Sequence, residues 1–360
     1  MTPALGVGML GYAFMGKAHS RAYRALEELE TPLRPELVSL SGRDREAATA
    51  VAHRYGWQTV VTDWREQVAD PRIGLFDNGG PNALHAEPTI AAARAGKHVI
   101  CEKPLGLDAG EAHAMWRAAE DAAVVHMCGF NYRFVPAIRL ARQLIDAGAI
   151  GRVVHFRARY LQSWGWDAPA DRWRFDPALA GTGAIGDLGA HIIDLARYLS
   201  GEIATVSAVL KTFVPQHGVD DAFVATIEFE NGAIGTLEAS RLARGRVNSN
   251  ALEINGSDGS LAFDVERLNE LEVAEGPGFR RVLVTEPDHP FMELWWPPGH
   301  IIGWGDTFTH ELHHLVTAIA GGGTVAPHGA TFEDGYRCAE VCDAIVRSAQ
   351  TGRRETVRYG

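Results

Sequence analysis

Short apolar runs separated by stretches of helical periodicity dominate the first 130 residues, and their alternation predicts strands and helices in turn. Leu5–Leu10 reads as a buried strand, Gly11–Gly16 as a glycine turn, and the residues through about Leu29 as a helix. A second strand over Glu36–Leu40 and a second helix over about Asp44–Tyr55 follow at βαβ distance. The pattern repeats with Val60-Val61, a helix near Asp63–Val68, Ile73–Phe76, a helix near Leu84–Ala95, and His98–Cys101. Alternation at this pitch implies an α/β fold with a parallel, doubly wound sheet, whose ligands bind beyond the carboxyl ends of the strands. Further along, a helical pattern sets Leu188, Ile192, Leu195 and Leu199 on an apolar face, and Asp187, His191, Asp194 and Tyr198 on a polar one.

The glycine turn is an imperfect dinucleotide fingerprint. Gly11 and Gly16 take the first and third glycine positions of G-x-G-x-x-G, Ala13 stands at the second, and Phe14 and Met15 complete the turn. A strand, a glycine turn and a helix start form a pyrophosphate site, because free backbone N–H groups and the helix dipole both favour an anion. The end of the second strand distinguishes cofactors: a carboxylate there binds the ribose 2′-hydroxyl of NAD, whereas an arginine suits the 2′-phosphate of NADP. Ser41-Gly42-Arg43 has no carboxylate at that place, although Asp44 follows. The reading is NAD or NADP, leaning to NADP or dual use, with Arg43 as an ordinary solvated residue the alternative.

Asp77-Asn-Gly-Gly-Pro81-Asn82 and Glu102-Lys103-Pro104 also fall at predicted strand ends, where a lysine would lie beside a nicotinamide. A surface lysine in a turn is the competing reading. Lys103, Asp187 and His191 together supply a cation, an orienting carboxylate and a proton shuttle, the set that hydride removal from a secondary alcohol requires. Asp187 and His191 on a merely solvated helix face is the bland alternative. Against it stand Gly181, Gly183, Gly186 and Gly189, which signal close approach of backbone or ligand.

These features, in order, resemble the glucose–fructose oxidoreductase and inositol dehydrogenase family (Gfo/Idh/MocA). The resemblance is carried by the glycine turn, Pro81-Asn82 with His85, Gly96-Lys-His-Val99 with Glu102-Lys103-Pro104, Gly129-Phe-Asn-Tyr-Arg133, and Asp187-x-Gly189-x-His191-x-x-Asp194. It implies a Rossmann domain over residues 1–130 and a substrate-binding and oligomerisation domain over 131–360. The second domain would hold a large, mostly antiparallel sheet with helices on one face; the C-terminal helix would pack back on the first domain. Segments Arg152–Leu161, Ile203–Phe213, Phe223–Phe229, Gly232–Ser240 and Leu252–Phe263 fit such a sheet.

The resemblance further implies an NAD(P)-dependent oxidoreductase. Lys103 would contact the reacting oxygen, Asp187 would bind substrate, and His191 would take the hydroxyl proton as hydride leaves for the nicotinamide. Gly11, Ala13, Phe14, Met15, Gly16, Ser41, Gly42, Arg43, Pro81, Asn82, His85, Glu102 and Lys103 are the expected cofactor residues. Asn131 and Arg133 would shape the substrate pocket or, equally, form interdomain hydrogen bonds. A homodimer or homotetramer is expected on the resemblance alone. Asp77–Gly80, in place of the family's apolar and Thr-containing run, is expected to alter contacts to the cofactor ribose, and Ala13 is a second departure.

Trp164, Trp166, Trp173, Trp295, Trp296 and Trp304 fall in the second half, as core or as surfaces for the C–H faces of sugars. The Trp295-Trp-Pro-Pro-Gly-His300 loop resembles that of sugar dehydrogenases in the family, so the expected substrate is a sugar, anhydrosugar or cyclitol. One rival is His310-Glu311-Leu-His-His314, an H-E-x-x-H pattern that on a helix would make a zinc metallohydrolase. No metzincin extension follows, and no metal is expected. A second rival is a non-catalytic dinucleotide-binding protein, against which Lys103, Asp187 and His191 stand together. A length of 360 residues suits two domains, and a net charge of −11 disfavours nucleic acid or an anionic membrane as partner. Four cysteines without a secreted-type framework, and no basic, apolar leader, place the expected site of action in the cytoplasm.

Overall fold

The structure, a computed structural model, describes residues 2–169 and 172–360. The chain divides into two compact units: the residues through Asn131 with Trp304–Tyr336, and Tyr132–Gly303 with Arg337–Gly360. Residues 304–336 fall with the first unit. The reason is burial: the helix Asp306–Gly321 turns Phe308, Leu312, Leu315 and Val316 inward, with Phe308 against the His19 ring at 5.6 Å.

The first unit alternates as the apolar runs require: β1 (Ala4–Leu10), α1 (Phe14–Ala25), β2 (Arg34–Ser41), α2 (Arg45–Tyr55), β3 (Thr59–Val61), α3 (Trp64–Ala69), β4 (Leu75–Asn78), α4 (Ala86–Arg94), β5 (His98–Glu102), α5 (Ala109–Asp121) and β6 (His126–Gly129). Its six strands are parallel in the order β3-β2-β1-β4-β5-β6, so the winding reverses between β1 and β4, where such sheets bind dinucleotides. Asp44, Asp63 and Asp108 cap the starts of α2, α3 and α5 by accepting from Ala47, Arg65 and Glu111 N–H.

In the second unit α6 (Pro136–Asp146) precedes β7 (Val153–Leu161), α7 (Pro177–Ala180) and α8 (Ala190–Ser200). Then come β8 (Ile203–Lys211), β9 (Ala222–Phe229), β10 (Ile234–Ser240), β11 (Ser249–Gly256), β12 (Ser260–Asp264), β13 (Glu270–Ala274), β14 (Arg280–Leu283) and, near the end, β15 (Glu355–Thr356). They form one nine-stranded sheet, antiparallel except for the β7–β10 pair. The expected run Leu252–Phe263 is two strands, because Gly256-Ser-Asp-Gly259 turns the chain back on itself: Gly256 N–H donates to Gly259 C=O. Helices α6 and α8 cover one face. The other is mixed, with Val209, Val224 and Ile234 each more than half exposed among polar neighbours.

Candidate active site

In the first unit the glycine turn is forced by backbone packing. Gly11 has φ 110°, and a Cβ there would lie 2.5 Å from the Gly79 carbonyl oxygen; a Cβ on Gly16 would lie 2.2 Å from that of Gly11. Ala13, where the fingerprint has glycine, is exposed and tolerates its methyl group. No side chain caps α1 and its first turn has no acid, so its N–H groups make an anion cradle at the switch point. Phe14 is exposed and stacks on Trp304 at 5.7 Å, while Met15 is half-buried. At the end of β2, Ser41 is buried, Gly42 lies so close to the Tyr12 ring that a Cβ would sit 2.1 Å from it, and Arg43 is exposed. Asp44, the nearest carboxylate, is engaged as the cap of α2.

Pro81 and Asn82 follow β4 and Lys103 follows β5, all half-buried. Two expected cofactor residues have protein partners. His85 is fully buried, with Nδ1 at 2.8 Å from the Pro104 carbonyl and Nε2 at 3.1 Å from that of Gly80, so it ties two strand-end loops together. Burial pushes its pKa down. Glu102 is buried too: it lies 3.1 Å from His19 Nε2 and accepts from the Lys103 N–H at 3.2 Å. His19 Nδ1 reaches Asp77 at 2.9 Å, and Tyr23 donates to the same carboxylate at 2.9 Å. Burial opposes the His19 imidazolium, but Asp77 and Glu102 outweigh it and the pKa stands well above the ordinary value. Sequence reasoning missed His19 and Tyr23. Asp77 was the available signal, because a carboxylate inside an apolar strand requires a partner.

The second unit holds Asp187 and His191. The helix carrying them begins with a π turn, Ile185–Gly189, a local widening that often accompanies functional side chains. Its glycines serve backbone approach: a Cβ on Gly183 would lie 1.8 Å from the Asp220 carbonyl oxygen, and one on Gly189 2.7 Å from the Phe223 ring. Asp187 Oδ2 accepts from Nε and Nη2 of Arg241, each at 3.2 Å. Arg241, buried, also donates to the Arg174 carbonyl and lies 5.0 Å above the Trp164 ring. His191 is buried edge-on to Tyr132 at 4.9 Å and near Tyr160 at 5.8 Å. Around it runs a polar seam. The Tyr132 and Tyr160 hydroxyls are 3.0 Å apart, Tyr160 and Gln162 both donate to Asn248 Oδ1 at 2.7 Å, and Trp164 Nε1 donates to Gln162. Burial first, then Tyr132 and the Asp187 charge, raise the Tyr160 pKa well above its ordinary value, keeping the phenol neutral.

Tyr132, Tyr160, Gln162, Asn248 and Arg241 escaped sequence reasoning because they come from separate strands and loops that only the sheet brings together. Two expected substrate contacts are buried with protein partners. Arg133 makes a bidentate pair with Asp194 at 2.8 and 2.6 Å, both buried, with Tyr198 beneath its guanidinium. Asn131 donates to the Thr307 hydroxyl at 2.9 Å within the first unit. The H-E-x-x-H residues lie on the helix Asp306–Gly321. His310 and Glu311 are fully buried, and His314 Nε2 is 2.8 Å from the Val325 carbonyl; among the described residues no group of three or more His, Cys, Asp or Glu is arranged for a metal. All four cysteines are buried thiols, and among the described residues no helix is long and apolar enough to cross a membrane.

Comparison with known proteins reaches both units. Residues 5–130 match the family described as oxidoreductase, NAD-binding Rossmann fold, and residues 138–262 match the GFO/IDH/MocA C-terminal domain. Levoglucosan dehydrogenase of Pseudarthrobacter phenanthrenivorans is 44% identical, covering 96% of both chains. Inositol 2-dehydrogenase of Rhizobium meliloti is 28% identical over 97% of this chain and 98% of that one. A solved levoglucosan dehydrogenase in complex with NADH and levoglucosan superposes with a TM-score of 0.95 at 44% identity, covering 99% of this chain and all of the other. With both family domains matched and such relatives along nearly its full length, this chain is a dehydrogenase or reductase of the GFO/IDH/MocA family of NAD-binding oxidoreductases.

Proposed function

We propose that the chain oxidises a secondary alcohol of a sugar, anhydrosugar or cyclitol, with levoglucosan the first substrate to test. The observation that carries this reading is the seam around His191. Half-buried Trp164 offers a ring face for C–H surfaces, and half-buried Gln162, Asn248 and Asp187 offer hydrogen bonds for several hydroxyls, with the buried Tyr132, Tyr160 and Arg241 behind them. The 44% identity to levoglucosan dehydrogenase supports it. The cradle at the start of α1 suits a dinucleotide pyrophosphate, and the bound nicotinamide would supply the hydride acceptor. His191 takes the hydroxyl proton. The Lys103 ammonium stabilises the oxygen as it gains negative charge, and Asp187, held by Arg241, orients a neighbouring hydroxyl. In reduction His191 returns the proton to the alkoxide.

The cofactor reading remains dual with a lean to NADP, supported by the exposed Arg43 and by Asp44 being occupied as a cap. A second copy of the chain on the mixed face of the sheet, as homodimer or within a homotetramer, fits the exposed Val209, Val224 and Ile234. The test is nicotinamide absorbance with NAD and with NADP across levoglucosan, inositols and aldoses. The expected result is turnover of levoglucosan or a related sugar, with Lys103→Ala and His191→Ala each losing roughly 10²–10⁴-fold in turnover while still binding dinucleotide. No turnover across the panel by protein that binds dinucleotide overturns the substrate reading, and near-normal turnover in either variant removes that residue from the chemistry.

A further inference from the structure

The start of the helix bearing Asp187 and His191 is held by a residue outside the proposed chemistry. Asp220, two residues before β9, is buried, and its carboxylate accepts from the Gly183 N–H at 2.6 Å and the Ile185 N–H at 2.9 Å. Its own carbonyl accepts from the Ala184 N–H at 3.0 Å, so one residue satisfies three consecutive donors at the helix start. Gly183 closes the fit from the other side, since any Cβ there would run into the Asp220 carbonyl. The π turn begins at Ile185, one of the residues Asp220 holds, and Asp187 N–H donates to the Gly183 carbonyl at 3.0 Å. Asp187 thus inherits its place from this latch. The next residue, Asp221, receives the Arg241 N–H on its carbonyl at 2.9 Å, so the same dipeptide anchors both members of the Asp187–Arg241 pair.

We infer that Asp220 is a positioning residue for the reaction: its carboxylate sets the π turn and thereby the placement of Asp187 against Arg241 and of His191 on the same helix. The inference rests on the proposed dehydrogenase chemistry for its kinetic consequence, but not for its structural one. Carboxylate oxygens are needed because two N–H groups converge on the side chain; an asparagine presents one acceptor oxygen and turns its amide donors toward the other N–H. A negative charge also suits the positive end of the helix dipole. Burial raises the Asp220 pKa, opposed by the hydrogen bonds from Ile185 and Gly183 and by the Arg241 charge.

The experiment compares Asp220→Asn and Asp220→Ala with the wild type by crystallography, dinucleotide affinity, and the pH dependence of kcat and of kcat/KM. Misplaced catalytic groups should lower kcat roughly 10- to 100-fold, more for Ala than for Asn, with an altered pH profile and unchanged dinucleotide affinity. The crystal structures should show the π turn rearranged and the Asp187–Arg241 pair broken or lengthened. If Asp220→Asn melts at lower temperature yet keeps the π turn and the Asp187–Arg241 distance, the residue is only a structural cap and the assignment is overturned. A kcat and pH profile within twofold of wild type overturns it equally. Should the wild type itself turn over no sugar, the proposed reaction fails while the crystallographic comparison still decides for or against Asp220; Asn, nearly isosteric, secures a folded variant if Ala does not give one.

Discussion

Arg133 and Asp194 illustrate how a side chain that looks functional in sequence is claimed by the interior. A charge removed from water needs a partner of matching geometry, and the bidentate contact supplies it. Truncating either residue should lower unfolding stability by about 3–5 kcal/mol, because the survivor is left buried and uncompensated, and urea unfolding will measure it. Arg133→Ala with the stability of the wild type would refute the structural role. The His19 cluster makes a pH prediction of definite sign. Its pKa is raised in the folded state, so the stabilisation it contributes is fully present below the unfolded imidazole value, near 6.5, and is lost as pH rises through the folded value. Wild-type stability should therefore fall at alkaline pH more steeply than that of Asp77→Asn, which lacks the main counter-charge; identical pH slopes would exclude His19 as the titrating group. At the cofactor end, Arg43→Ala should raise the Kd for NADP by about tenfold and leave that for NAD nearly unchanged, as expected for loss of one phosphate contact. Equal changes for both would remove the 2′-phosphate role.

At the level of elements, glycines mark where two backbones meet rather than where a ligand must sit. Gly16 lets α1 pack against the Gly11 backbone, and Gly183 lets the helix start meet the Asp220 backbone. Gly183→Ala should destabilise the second unit by roughly 1–3 kcal/mol through overpacking and reduce turnover with little effect on dinucleotide affinity. Gly16→Ala should do the reverse, weakening dinucleotide binding first. Calorimetry and binding titrations on the pair test this division, and matching losses of dinucleotide affinity in both variants would contradict it. The strands and helices from β1 to β5 were legible because their apolar runs, the half-buried β3 apart, are mostly buried and the helices between them carry amphipathic stripes, whereas α5 and β6 were not read. The π turn was not: Asp187 and His191 show ordinary i, i+4 spacing, and the widening arises from packing against Asp220 and Phe223, residues more than thirty positions away.

Across the whole molecule, the nine-stranded sheet divides its residues by face. Helices cover Phe223, Ala225, Ile227 and Phe229, whereas Val224 lies on the open side. Replacing both Val224 and Ile234 by Lys should lower the assembled mass in light scattering, if the proposed second copy sits there, and leave dinucleotide affinity unchanged. An unaltered mass would place the oligomer contact elsewhere. The first unit's recruitment of 304–336 is a long-range decision of the same kind. The apolar stripe of the helix Asp306–Gly321 says that it is buried but not against which sheet.

Periodicity and local spacing were sufficient to indicate the doubly wound unit, the glycine turn and the shared helix of Asp187 and His191, because each depends on residues near one another in the chain; Lys103 was singled out by its place at a strand end. Partnership was decided only by tertiary structure. The pairing of His19 with Asp77 and Glu102, of Arg133 with Asp194, and of Arg241 with Asp187 spans tens of residues, as does the assembly of Tyr132, Tyr160 and Asn248 around His191. A buried charge or hydroxyl must find a partner, but the sequence states only that need; which residue meets it is set by strand order and register, which bring distant positions within hydrogen-bonding reach.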